Sequence, residues 1–282
     1  MELPFRRVAV IGVGLLGGSL GMALRERDAK VHVRGVGRSR ERLELARRRG
    51  AVDDFALEGS AALADRDLVV LATPIEQILA ALGNLGPLGP GAVVTDLGST
   101  KRAICARARE TLPPGIGFVG GHPFAGKEVT GVEHADADLF AGAPWVLCAE
   151  PGRAVERMSA LVESVGARVV RLSPEEHDRA AAWISHLPQL LSTALANVAQ
   201  GADVHQATLL ALAGSGFRDM VRLSGSAYGV WKGILQTNGD NIGDALAAFG
   251  TELDAVTRAL SGTGLEQRFD SARRLYEASR TK

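Results

Sequence analysis

Short apolar runs alternate with amphipathic stretches through residues 1–172 of this chain. Residues 7–11 (RVAVI), 31–33 (VHV), 67–72 (DLVVLA), 92–96 (AVVTD) and 117–120 (GFVG) read as strands. They are too short for helices, and their β-branched content suits a buried, pleated surface. Residues 144–148 and 167–171 read as further strands at the edge of the sheet, and residues 39–50 and 75–82 are among the intervening helices. Strands alternating with helices predict an α/β fold built on a parallel, doubly wound sheet.

The pattern changes at Ser173-Pro174-Glu175-Glu176. A serine three residues ahead of a glutamate, with proline at the first helical position, is a capping box that opens a helix. Beyond it no strand pattern stands out, and residues 180–199, 206–213, 241–260 and 265–280 read as helical. Residues 180–199 are too apolar for a solvent-facing helix, yet His186 and Gln189 make them too polar for a membrane span. A helix apolar all round must be covered on every side, and in so small a domain a second subunit is a fitting cover. The expected organisation is therefore a sheet domain at 1–172 and an all-helical domain at 173–282 that forms a homodimer.

Composition narrows the field. A chain of 282 residues fits two domains better than one. Thirty-two basic residues balance 32 acidic ones, which argues against a nucleic-acid binder or a polybasic membrane-surface protein. Cys105 and Cys148 offer neither metal-ligand spacing nor a disulfide framework, as expected in a reducing cytoplasm. Residues 8–24 are uncharged and could pass for a signal peptide, but five glycines among them point to a strand, a turn and a helix instead.

That turn is Gly12-Val13-Gly14-Leu15-Leu16-Gly17, directly after the first strand. Its first glycine permits a tight turn, its second lets backbone approach a pyrophosphate, and its third lets helix pack on strand. The helix N-terminus then presents free N–H groups to the phosphates. The motif alone is weak, but in a strand–turn–helix context it predicts a Rossmann-type dinucleotide site. NAD sites usually carry an acidic residue at the end of the second strand. Here the strand runs into Gly37-Arg38-Ser39-Arg40, which lacks the acid and suits a 2′-phosphate. NADP is thus expected ahead of NAD, the alternative being that these arginines only begin a solvated helix face. The cofactor-binding set comprises Gly12, Gly14, Leu15, Leu16, Gly17, Arg38, Ser39, Arg40, Thr73 and Pro74.

Ligands of open α/β sheets bind at the carboxyl ends of the strands. There the chain places Asp96-Leu97-Gly98-Ser99-Thr100-Lys101 and Gly121-His122-Pro123-Phe124-Ala125-Gly126, so Ser99 and His122 should face the nicotinamide half of the cofactor. With Gly131-Val132-Glu133, Ala137-Asp138-Leu139-Phe140, His177-Asp178, Ile184-Ser185-His186-Leu187-Pro188, Gly216-Phe217-Arg218-Asp219, Arg222, Ser226 and Trp231 following in order, the chain resembles the prephenate/arogenate dehydrogenase family of tyrosine biosynthesis.

The resemblance implies oxidative decarboxylation of prephenate to 4-hydroxyphenylpyruvate, with arogenate as the alternative substrate and no need for a metal. It implies that His122 takes the hydroxyl proton, that Ser99 hydrogen-bonds the same hydroxyl, and that Arg222 holds a substrate carboxylate. His177 is open between active-site and structural roles, and Glu128 between a place near the substrate and a solvated loop. For His186 a structural role is favoured. The segment matching Ser215, Asp219 and Trp231 approaches the neighbouring subunit's site in the family. Gln189 stands where some members have a histidine that reaches the substrate side chain, which leaves the preference between prephenate and arogenate open. Neither an ACT nor a mutase domain is expected around this core. A β-hydroxy acid dehydrogenase of similar layout would need a helical-domain lysine as acid/base, and only Lys232 and Lys282 occur there. A nucleotide sensor without turnover would have no use for Ser99, His122 and Arg222 together.

Overall fold

A computed structural model describes residues 3–58 and 63–280. Among them eight strands form one sheet: β1 (Arg7–Ile11), β2 (His32–Gly37), β3 (Asp54–Leu57), β4 (Leu68–Leu71), β5 (Val93–Asp96), β6 (Gly117–Pro123), β7 (Pro144–Cys148) and β8 (Arg168–Arg171). Their order is β3-β2-β1-β4-β5-β6-β7-β8. Every pairing is parallel except β6 with β7, where His122 lies opposite Val146. β1 is therefore flanked by β2 and β4, and the strand order reverses there, which opens a crevice beyond Ile11 and Leu71.

Two sequence expectations change. β7 is not an edge strand, because β8 pairs along its outer side. Its apolar run Trp145–Val146–Leu147–Cys148 is buried throughout, as an interior strand requires. β3 has no counterpart in the pattern reading: only Phe55, Ala56 and Leu57 are apolar, and none is fully buried.

The helices packed on this sheet are α1 (Leu15–Arg27), α2 (Arg40–Arg48), α3 (Ile75–Leu82), α4 (Arg102–Thr111) and α5 (Arg153–Ser164). Leu20 and Leu24 of α1 and Val155, Met158, Leu161 and Val162 of α5 join Val8, Val10, Leu68 and Val70 in one apolar cluster. Burying each such side chain contributes on the order of 1.5–3 kcal/mol. Phe140 and Trp145 close its far end, with ring centroids 5.0 Å apart.

After β8 come α6 (Pro174–Ala181), α7 (Leu187–Gln200), α8 (Gln206–Leu212), α9 (Ser215–Val221), α10 (Tyr228–Ala259) and α11 (Leu265–Arg280). The capping box forms as expected: Ser173 Oγ accepts from Glu176 N–H, and the Glu176 carboxylate accepts from Ser173 N–H. The expected single helix over 180–199 is broken by a π turn at Ala182–His186. Pro188 explains it, since proline has no N–H and its ring clashes with the carbonyl four residues back; widening the helix accommodates both. Trp183, Ile184 and Val198 of that stretch are exposed on the single chain. α10 begins ahead of the expected 241–260 helix, and its backbone leaves helical geometry at Asn238. By compactness the chain divides into Met1–Gly239 and Asp240–Lys282. Strands give way to helices at the border expected at 172/173. No helix among the described residues is long and apolar enough to cross a membrane.

Candidate active site

The glycine turn follows β1 at the crevice. Gly12 has φ +94°, and a Cβ there would lie 2.8 Å from the Ala72 carbonyl oxygen. A Cβ on Gly17 would lie 2.3 Å from the Gly12 oxygen, so this glycine is what lets α1 pack on β1. Around Gly14 a Cβ would meet nothing within 4 Å, which leaves room for a pyrophosphate over the first turn of α1. No side chain caps that turn, and Leu15 and Leu16 begin it half-buried. Thr73 follows β4 with its hydroxyl buried and without a hydrogen-bond partner among the described residues, and Pro74 precedes α3. An orphaned buried hydroxyl beside a glycine cradle fits a bound dinucleotide.

At the end of β2, Arg38 and Arg40 are 73% and 65% exposed. Arg38 pairs with Glu58 at 3.7 Å and Arg40 with Glu44 at 3.9 Å, both weak surface pairs. Ser39 caps α2 by accepting from Arg42 N–H, which leaves its own O–H as a donor. Glu58 N–H bonds the Gly37 carbonyl, so β3 brings a carboxylate next to the position where β2 lacks one.

β5 and β6 are neighbours, and half-buried Ser99 and buried His122 extend from their adjacent ends. His122 Nδ1 lies 2.8 Å from His177 Nε2, and His177 Nδ1 lies 2.8 Å from Asp178 Oδ1. His177 and Asp178 are fully buried on α6, so His177 belongs with His122 and not on a helix surface. Asp178 also accepts from the backbone N–H groups of Lys101 (2.6 Å) and Arg102 (3.0 Å), at the otherwise uncapped start of α4. Burial opposes ionisation of Asp178. The hydrogen bonds from His177, Lys101 and Arg102 outweigh it and hold the carboxyl below its ordinary range.

The proton order follows. An ionised Asp178 accepts from His177 Nδ1–H, so with both rings neutral His177 Nε2 carries a lone pair and accepts from His122 Nδ1–H. His122 Nε2 is then left with a lone pair to accept a proton. Desolvation, followed by His177, Lys101 and His186, depresses the His122 pKa well below its usual value and keeps the ring neutral. Asp178 and Lys101 belong to this hydrogen-bonded cluster, and sequence reasoning gave neither a role. An aspartate beside a histidine in the first turns of a helix was the available signal, but its partner lies 77 residues away.

Arg222 and Glu128 come together as an ion pair on exposed side chains. Gln189 is buried, and its amide donates to the Leu223 carbonyl at 2.8 Å, while Ser192 accepts from Ser224 N–H. α7 thus anchors the 3-10 turn Arg222–Gly225 that carries the arginine. Ser215 and Asp219 are exposed on α9, and half-buried Trp231 meets His186 edge-on at 5.9 Å. His186 Nδ1 lies 3.2 Å from the Asn238 amide, which also donates to the Asp178 carbonyl. Burial lowers the His186 pKa to about 4, as a structural histidine tolerates. Among the described residues no group of three His, Cys, Asp or Glu could hold a metal.

Residues 20–171 match the family described as prephenate dehydrogenase, nucleotide-binding domain, and residues 173–275 match prephenate dehydrogenase, dimerization domain. The prephenate dehydrogenase of Bacillus subtilis (strain 168) is 33% identical over 256 residues, covering 88% of this chain and 68% of that protein. Among solved structures, prephenate dehydrogenase from A. aeolicus in complex with hydroxyphenyl propionate and NAD+ has a TM-score of 0.85 at 28% identity, covering 99% of this chain and 98% of that one. Synechocystis arogenate dehydrogenase has a TM-score of 0.76 at 32% identity and covers 97% of each. Matches to both of its domains, in order and over most of the chain, place this protein in the prephenate dehydrogenase family.

Proposed function

We propose that this chain is an NADP-preferring dehydrogenase that oxidatively decarboxylates prephenate to 4-hydroxyphenylpyruvate. The observation that carries this reading is the buried chain from Asp178 through His177 to His122, which presents a neutral base at the end of a strand in the same sheet as the nucleotide turn. Gly12, Gly14, Gly17 and the first turn of α1 would hold the pyrophosphate, with Leu15, Leu16, Thr73 and Pro74 bordering it. Arg38, Ser39 and Arg40 would hold the 2′-phosphate. When bound, the nucleotide supplies a hydride acceptor.

The protein's own residues position the substrate and take a proton. His122 Nε2 accepts the proton of the ring hydroxyl, and His177 and Asp178 stabilise the imidazolium that forms. Ser99 donates to or accepts from the same hydroxyl. Arg222 offers the ring carboxylate a bidentate partner, oriented by Glu128 and by the turn that Gln189 anchors. Once the ring carboxylate leaves as CO2, aromatisation makes the reaction downhill. Residues 1–172 would bind nucleotide and residues 173–282 would complete the substrate site and pair as a homodimer. The dimerization-domain match and the exposed Trp183, Ile184 and Val198 support that pairing, and Ser215, Asp219 and Trp231 would approach the partner's site. Free, buried Cys105 and Cys148 suit a reducing cytoplasm.

Arogenate is the second reading. The likeness to Synechocystis arogenate dehydrogenase favours it, as does a neutral glutamine where a cation would disfavour arogenate's ammonium. Purified chain given each substrate with NADP and with NAD, followed by reduced-nicotinamide absorbance, tests the proposal. Turnover of neither substrate with either nucleotide would overturn it.

A further inference from the structure

The motif after β5 ends in Lys101, whose side chain is fully buried and has no part in the reaction described above. Its ammonium reaches the Asp96 carboxylate, also fully buried, and donates to the Gly121 carbonyl at 2.7 Å. Asp96 in turn accepts from Gly121 N–H at 3.1 Å and from Gly98 N–H at 2.8 Å. Both backbone groups of the residue preceding His122 are thus held by the two members of one ion pair. Gly121 admits no side chain, since a Cβ would lie 2.6 Å from the Asp96 carbonyl oxygen. The backbone N–H of Lys101 donates to the same Asp178 oxygen that His177 uses. A closed circuit results: Gly121, Lys101, Asp178, His177, His122 and back to Gly121.

We propose that Lys101 is the positioning residue for His122, its ammonium fixing the strand that carries the base and its backbone fixing the carboxylate that sets the base's proton. The proposal rests on His122 being the base. Burying an ion pair brings little net stability, because desolvation offsets the Coulombic gain. A device of this kind is better explained by the geometry it imposes. The ammonium also shapes the field at His122, together with His177 from α6 and His186 from the π turn; Asp178 bonds His177, Lys101 and Arg102, and Asp96 bonds Lys101. A fixed cation there opposes a second positive charge on the imidazole.

The test uses the full chain with isotope-labelled histidine and follows ring protonation by NMR, His122→Asn assigning the signal. Lys101→Met keeps the length of the side chain and removes its charge and donors. The expected result is a His122 midpoint raised by about one unit or more, kcat lowered ~10-fold, and NADP affinity within about twofold of wild type. A folded Lys101→Met chain whose His122 midpoint does not move overturns the proposal. If that variant does not fold, Asp96→Asn with Lys101→Met removes the orphaned charge, and asparagine keeps an acceptor for Gly121 N–H. With the Gly121 carbonyl no longer held, His122 should keep its Nδ1–H less firmly on His177, seen as faster exchange of that proton with solvent, and an unchanged exchange rate overturns the proposal. These readouts need no substrate, so they stand apart from whether prephenate is turned over.

Discussion

His177→Phe isolates the link between the base and the carboxylate. The ring it replaces already packs among aromatics, 5.0 Å from His122 and 5.9 Å from Phe124 by ring centroids, so phenylalanine fits the same space. Asp178 keeps its bonds from Lys101 and Arg102 and stays capped on α4. His122 Nδ1–H, however, loses its acceptor in a buried site, at a cost of about 1–3 kcal/mol. The ring escapes that cost by moving its proton to Nε2, which removes the lone pair that faces the substrate. The competent tautomer should therefore fall about 5–150-fold in population, and kcat with it, while nucleotide binding holds. His122→Asn should cost more, ~10²–10⁴-fold. Because both act through one lone pair, the double variant should be no slower than His122→Asn alone. Steady-state kinetics on the four proteins, with melting curves to confirm folding, completes the cycle. If His177→Phe keeps more than half of wild-type kcat, or if the two losses multiply, the relay is wrong.

Replacing Arg38 and Arg40 together with alanine should weaken NADP far more than NAD, read by calorimetry, since only NADP carries the 2′-phosphate; equal weakening would return these arginines to the solvent. Arg222→Ala should raise KM for prephenate and arogenate alike, both bearing the ring carboxylate, with nucleotide affinity unchanged; a KM change confined to one substrate would place Arg222 at the side chain instead. Acid should destabilise the fold through His186. The unfolded chain binds that proton near pH 6.5 and the folded chain only near 4, so between those values the unfolded state holds more protons and stability falls as pH falls, by up to about 3 kcal/mol. Urea titrations at pH 7 and pH 5 that gave equal stability would contradict this.

Much of this was legible in the sequence because local physics dictated it. The glycine turn, the short apolar strands and the Ser173 capping box each follow from neighbours a few residues apart, and each formed. β3 was not legible, since none of its residues is fully buried and its side-chain tie to β2 is an ion pair between Asp54 and Arg34, 20 residues earlier. The antiparallel turn of β7 was hidden because side-chain alternation is the same for either direction. The π turn could be read only by weighing Pro188 against the carbonyl it displaces. At the site, His122 and Ser99 stood out by their strand-end positions. The roles of His177, Asp178 and Lys101 did not, because each depends on a hydrogen bond to a distant part of the chain.

Asp178 as the cap of α4 has a consequence for the order of assembly. The groups proposed to cradle nucleotide all lie within the first 74 positions and close through β1–β4 pairing across 60 residues, whereas the relay also needs α6, from beyond β8, through contacts spanning 55 and 77 residues. The 77-residue contact is the last of these to close, after the entropy of the longer loop has been met. The first turn of α4 must wait, with free N–H groups, for a carboxylate from beyond β8. On refolding from denaturant, nucleotide binding should therefore return ahead of turnover, and the lag between them measures the docking of α6 onto α4.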